Sequence, residues 1–139
     1  CGGSGASINQ PGCSAVHTHM TNSRLTDPEV LEGRFPVKLE SFSIRENSGG
    51  KGLNSGGDGV DRRLRFLEPM TVNIIAGHRK IPPYGLSGGE SGALGENYVI
   101  HPDKSITSLG TKGQIEVTKD DVFVLKTPGG GGFGKKPLN

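Results

Sequence analysis

Glycine sets the limits on what this chain can fold into. It supplies 24 of 139 residues and falls in clusters: "SGGKGLNSGGDG", "YGLSGGESGALG" and "TPGGGGFG". Each glycine surrenders extra backbone freedom on folding. A chain this rich in it must spend those positions on tight turns and close backbone approaches, or rely on a neighbour for burial. The apolar supply is correspondingly lean, with 31% hydrophobic residues, 5% aromatic residues and no Trp. The length is that of a single domain. Sixteen basic residues face 14 acidic ones, a net charge of +2, too balanced to point to nucleic acid or an anionic membrane. No apolar run approaches the roughly 20 residues of a membrane helix, and no signal peptide is visible. The chain opens on Cys1 rather than Met, which points to a start outside this sequence. Cys1 and Cys13 alone make no disulfide framework, so a reducing cytoplasm is the plainer compartment.

Residues 1–16 are small and polar and read as loop, or as a segment packed on something else. A short helix is expected over residues 27–32. Thr26 or Asp27 can cap it, Pro28 fits its first position, and Glu29 suits its positive end. Thr26 and Glu29 also have capping-box spacing. Gly33 is then the expected stop, with Pro36 preventing resumption.

From Val37 the period is two. In "VKLESFSIR" the apolar parity changes after Leu39, and a bulge near Glu40 would put Val37, Leu39, Phe42 and Ile44 on one face. "RRLRFL" sets Leu64 and Phe66 opposite Arg63 and Arg65, and "MTVNIIA" groups Val72, Ile74 and Ala76. "NYVI", "SITSL", "QIEV" and "DVFVLK" follow at short intervals separated by turns. The implied fold is mainly β, a glycine-rich β-sandwich or barrel-like layer with that one short helix. A β-rich body over residues 37–126 is followed by a glycine-rich closing tail over residues 127–139.

Three motifs invite chemistry. Gly129, Gly131 and Gly134 match G-x-G-x-x-G, and Gly129 to Lys135 match the start of a P-loop. Lys136 stands where that loop needs Ser or Thr, and only "KKPLN" follows, leaving no helix to carry a phosphate. The better reading is backbone passing close to another surface. "CSAVHTH" offers Cys13, His17 and His19, with both histidines on one side if the segment is a strand. A structural zinc site wants four ligands, and no second Cys/His cluster lies nearby, so no metal is expected. "AGHRK" ends a strand, where Arg79 has the fork to clamp a carboxylate, although such a cluster is more often a solvated turn.

Taken in order, "HTHMTNSRLTDPEVLEGRFPV", "SGGKGLNSGGDGVDRRLRF", "PYGLSGGESGALGENYVI" and "DVFVLKTPGGGGFG" resemble the C-terminal end of the hydantoinase B family, in particular 5-oxoprolinase. The resemblance runs from the opening "GGSGAS" to Gly134. It implies a cyclic-amide hydrolase that couples ATP hydrolysis to conversion of 5-oxo-L-proline into glutamate. A hydantoinase A type part, similar to actin-like ATPases, would bind ATP with magnesium and phosphorylate the amide oxygen. The hydantoinase B part would hydrolyse the activated, water-sensitive intermediate, for which a closed path between sites is useful.

The resemblance also implies that this chain is only the closing portion of a hydantoinase B part. The ATPase part and an upstream acidic, histidine-rich region lie elsewhere, and the chain alone would be inactive. No cofactor is expected on it. Thr127, Pro128, Gly129, Gly130, Gly131, Gly132 and Gly134 look like the family's closing motif. His17, His19, Asn22, Arg24 and Arg79 are the candidates for substrate-path or interface contacts. Departures from the family pattern are Asp120-Asp121 before the last strand, the basic pair Lys135-Lys136, and "AGHRK" where a Glu-Arg pair is usual. Two alternatives stand beside this reading: a hydantoin-ring hydrolase subunit, and a non-catalytic β interaction module from a split gene.

Overall fold

The computed structural model describes residues 1–18 and 21–135. Its elements run in the order α1 (Pro28–Arg34), β1 (Val37–Arg45), β2 (Gly59–Phe66), β3 (Met70–Ile75), β4 (Glu96–Ile100), β5 (Ile106–Ser108), β6 (Lys112–Val117) and β7 (Val122–Lys126). Five strands form one antiparallel sheet in the order β1-β2-β7-β4-β5, and β3 pairs with β6 in a second. The larger sheet stays open, with β1 and β5 at its edges. Of the two layer arrangements that the sequence leaves open, the closed barrel is not adopted. No helix among the described residues is long and apolar enough to cross a membrane.

The core sits between the two sheets. Val37, Phe66, Val99, Phe123 and Val117 are buried there, with Met70, Val72, Ile74 and Ile115 of the smaller sheet and Leu31 of α1 packed against them. Val99 is fully buried, and hiding a side chain of that size is worth about 1.5–3 kcal/mol. The bulge falls where the parity break puts it. Leu39 pairs with Leu64 and Ser41 with Arg63, leaving Glu40 extra and returning Phe42 and Ile44 to the face of Leu39.

Helix α1 is capped by Asp27, one residue past Thr26, whose carboxylate accepts from Glu29 N at 2.9 Å. Gly33 does not end it. The helix runs on to Arg34 and stops at Phe35, which turns extended ahead of Pro36. Proline's clash with the preceding residue drives Phe35 out of the helical region, so Pro36 decides the boundary.

The pairing brings the C-terminal ends of β1 and β7 and the N-terminal ends of β2 and β4 together at one end of the sheet. The glycine-rich connections therefore meet there. They form a layer of extended backbone segments with almost nothing between them. A Cβ on Gly129 would collide with the Ser48 carbonyl, and one on Gly132 with that of Lys51. On another side, Cβ atoms on Gly92 and Gly89 would strike Gly129 and Gly132. Neighbours thus recur every third residue, the period of a polyproline-II helix. The layer is tied by backbone bonds such as Gly130 N to Gly57 O at 2.8 Å and Gly50 N to Gly130 O at 2.8 Å.

Candidate functional site

The closing glycines do not fit ATP. Gly129, Gly130, Gly132, Phe133 and Gly134 already donate their amide protons to the carbonyls of Ala93, Gly57, Glu90, Asn54 and Leu86. A phosphate-binding loop needs such donors free and pointing outward. Here they are consumed inside the layer, and residues 129–132 are buried.

Polar groups converge instead beside that layer. After β3 ends, His78 adopts a left-handed backbone (φ 54°). This conformation is uncommon for a residue with a Cβ and is held only when the surroundings require it. Its ring Nδ1 lies 3.1 Å from Ile81 O, and Gly95 N bonds to the His78 carbonyl at 2.9 Å. Arg79 then turns back toward β4. Its Nε and Nη2 donate to Asn97 Oδ1 at 3.1 and 2.7 Å, and Nη1 donates to Gly77 O at 2.6 Å. Asn97, only 2% exposed, passes the connection on to Gly110 O at 2.7 Å. Burial, and then the charge of Arg45, push the Arg79 guanidinium below its ordinary pKa, while Glu96 pulls the other way. The position is a half-buried, firmly oriented cation.

His78 and Arg79 line a cavity of about 260 Å³ with His17, Thr21, Thr127 and Pro128. The His17 ring Nδ1 lies 3.4 Å from Thr21 Oγ1. In both histidines Nδ1 is engaged and Nε2 has no protein partner among the described residues. His78 and Pro128 also line a neighbouring groove of about 360 Å³, floored by Gly130, Gly131 and Gly132 and walled by Tyr84. The two spaces together make a passage along the outer side of the closing glycines. A third cavity, about 470 Å³, lies on the other side of Arg79 against Asn97, Tyr98 and Ile106. Two imidazoles and a guanidinium can grip a carbonyl or carboxylate. No carboxylate lines the smaller cavity, so neither histidine there has the orienting partner that a hydrolytic triad uses. Among the described residues, no cluster of three or more His, Cys, Asp or Glu side chains is placed to hold a metal.

The family model for Hydantoinase B/oxoprolinase matches residues 1–136. This chain belongs to the hydantoinase B/oxoprolinase family. It is 48% identical over 133 residues to 5-oxoprolinase 1 of Arabidopsis thaliana, a match covering 96% of this chain and 10% of that protein. It is 44% identical to 5-oxoprolinase of Dictyostelium discoideum, covering 97% of this chain and 11% of that one. Among solved structures it resembles the ATP-dependent caprolactamase from Pseudomonas jessenii, with a TM-score of 0.85 and 25% identity, covering 99% of this chain and 25% of that chain. The chain therefore spans about a tenth of the length of these curated relatives.

Within this oxoprolinase-family segment the candidates separate. His17 and Arg79, far apart in sequence, come together at the same cavity. Asn22 and Arg24 lie on the exposed stretch leading to α1 and do not line that cavity. His19 lies outside the described residues. The strand assumed for His17 is absent, since Val16 makes only an isolated bridge with Gly2. Cys13 is exposed and unpaired. His78 and Thr127 also line it, and residue type alone does not single them out. His78 sits inside "AGHRK", but its left-handed backbone has no sequence signal in a non-glycine residue. Thr127 was noted only as part of the closing motif, and its Oγ1 accepts from Val60 N at 2.8 Å.

Proposed function

We propose that this chain is the closing β portion of an ATP-dependent cyclic-amide hydrolase that converts 5-oxo-L-proline, ATP and water to glutamate, ADP and phosphate, with no activity of its own. The observation that carries this reading is the 48% identity to a 5-oxoprolinase along almost the whole chain. The rest of a hydantoinase B part and a hydantoinase A type ATPase part, fused or as a subunit, complete the enzyme. ATP and magnesium belong to the latter. The unpaired state of Cys1 and Cys13 supports a cytoplasmic setting.

On this reading the passage lined by His17, His78 and Arg79 is a wall of the substrate path. Arg79 is held by Asn97 and offers its remaining donors to a carboxylate or ring carbonyl, and His17 and His78 line the same space. His19, Asn22 and Arg24 belong to the same segment and are proposed as contacts with the rest of the enzyme.

The test is glutamate release from 5-oxo-L-proline by the full-length protein, with and without ATP. ATP-dependent glutamate is expected. No glutamate from folded protein would overturn the oxoproline assignment. The fold match to a caprolactamase favours a second reading, a different lactam ring. Ring opening of caprolactam or a hydantoin, followed as release of its own open-chain product with and without ATP, would select it, and no ring opening at all would leave a binding module.

A further inference from the structure

His101 has what the histidines of the passage lack: a buried carboxylate on one ring nitrogen and a hydroxyl on the other. The sheet register assembles the three groups. Val99 pairs with Phe123 on β7 and with Thr107 on β5, so Thr107 shares the side of the sheet on which Val99 enters the core. His101 lies two residues past Val99, and Asp121 two before Phe123, which puts both on that same side. The turn after His101 holds β5 in place. His101 N donates to Ser105 O at 2.9 Å, and the Asp103 carboxylate accepts from Ser105 N at 2.9 Å and Ser105 Oγ at 2.6 Å.

The Asp121 carboxylate lies 2.8 Å from His101 Nδ1, and His101 Nε2 lies 2.9 Å from Thr107 Oγ1. Asp121 is fixed from behind by Thr118 N at 2.7 Å and Thr118 Oγ1 at 3.3 Å. As a carboxylate it can only accept, so Nδ1 donates to it. In the neutral ring Nε2 then carries the lone pair, and the Thr107 hydroxyl donates to Nε2. This is the arrangement in which an oriented histidine takes the proton of an attacking hydroxyl. Asp121 is buried and Thr107 exposed, so the chain of bonds opens to solvent at its reactive end.

β5 is an edge strand, which supplies a further component. The bonds from His101 N to Ser105 O and from Leu109 N to Asn97 O make Val99 and Thr107 a mutually bonded pair. The amides of Ile106 and Ser108 therefore point away from β4, off the edge. The Ser108 amide follows Thr107 directly and is a donor for the oxygen of a carbonyl under attack there.

We propose that Thr107, His101 and Asp121 form an acyl-transfer site that takes activated esters, with Thr107 as nucleophile and His101 as general base. Thr107 Oγ forms a bond to the acyl carbon while its proton passes to His101 Nε2. The bond from that carbon to the leaving oxygen breaks, and the leaving oxygen keeps the electron pair and takes the proton from Nε2. Water, deprotonated by the same nitrogen, then releases the acyl group as a carboxylic acid and restores the hydroxyl. Neither His101 nor Thr107 lines the passage of His17, His78 and Arg79, so the inference does not depend on which ring the enzyme opens.

The experiment uses the full-length protein and p-nitrophenyl acetate. The reaction is quenched in acid, and the acetyl group is assigned to a residue by tandem mass spectrometry. Thr107 should acquire acetyl about a hundredfold faster than Thr26, an exposed threonine on another part of the chain, the low end of what a positioned general base contributes. His101→Gln should remove that advantage. Acetyl on Thr107 no faster than on Thr26, or only on Lys104 and Lys119, would overturn the proposal and leave His101 a structural tie. Should His101→Gln fail to fold, Thr107→Val decides, since it keeps the shape of an exposed side chain and removes only the hydroxyl. Loss of the p-nitrophenolate burst in that variant supports the proposal, and an unchanged burst refutes it. ATP-dependent glutamate release is measured separately, so failure of the ring assignment would leave these outcomes intact.

Discussion

Gly130 lies against the carbonyl of Ser4 with no room for a Cβ between them. Its amide donates to Gly57 O and its carbonyl accepts from Gly50 N, both at 2.8 Å, so the backbone cannot shift to make room. Gly130→Ala should therefore cost about 3 kcal/mol or more, the upper range for overpacking a site that cannot relax. Gly33 is the control. It sits inside α1 with nothing near its missing Cβ, so Gly33→Ala should stabilise by about 0.5–1 kcal/mol. Denaturant unfolding of the two variants checks the pair. Equal stability of Gly130→Ala and the parent would mean the glycine layer is not load-carrying packing.

This layer also marks how far the sequence could be read. The first three strands were legible from period-two patterns and the last four from short apolar runs between turns, and the parity break at Leu39 betrayed the Glu40 bulge. Helix α1 was legible at its start, where Asp27 and Pro28 act locally. Its end was misplaced by two residues' worth of chain because Pro36, not Gly33, decides it. The gathering of Ser4, Ser48, Tyr84 and Gly92 around Gly129–Gly132 had no such signal. Backbone packing leaves no side-chain pattern, only the absence of a Cβ. The same holds for the site. His17 and Arg79 could be singled out by residue type, but their meeting at one cavity depends on where the loops of that layer travel.

Asn97 is the next test, because it fixes Arg79. Removing its amide leaves Gly110 O and two guanidinium donors without their partner in a buried setting. Asn97→Ala should cost about 2–3 kcal/mol. Since Arg79→Ala removes the same contacts from the other side, the double variant should cost clearly less than the sum of the singles. Thermal unfolding of the four proteins gives the coupling. In the full-length enzyme, Arg79→Ala should raise KM for the ring substrate. Unchanged turnover and unchanged KM would remove Arg79 from the substrate path and leave it a structural tie.

Asp121 makes stability depend on acid. It is 2% exposed and accepts from Thr118 N at 2.7 Å, with the His101 ring Nδ1 at 2.8 Å. Burial opposes its ionisation, but the Thr118 amide and His101 outweigh it and hold the carboxyl below its ordinary value. A folded-state value below the unfolded one means that stability is fully present above the ordinary carboxylate range. It is lost as pH falls through the lower, folded value. Asp121→Asn should lower stability at neutral pH by about 2 kcal/mol and flatten this acid limb. Unfolding midpoints measured from neutral pH into the carboxylate range check it. An acid limb as steep in Asp121→Asn as in the parent would show that other groups set it.

Lys135 separates a nucleotide loop from a packing motif. By spacing it is the lysine of a P-loop that starts at Gly129, and in such a loop it reaches the terminal phosphates. In this structure Lys135 is exposed at the end of the layer, its stem against Gly88, and the amides before it are spent on neighbouring carbonyls. Lys135→Ala in the full-length enzyme should leave the KM for ATP and the ATP-dependent turnover unchanged. A P-loop lysine removed in the same way would abolish nucleotide use, because its charge offsets that of the phosphates throughout the reaction. A large loss of ATP dependence in Lys135→Ala would therefore restore the phosphate reading of "TPGGGGFG". It would also require the glycine layer to open when nucleotide binds.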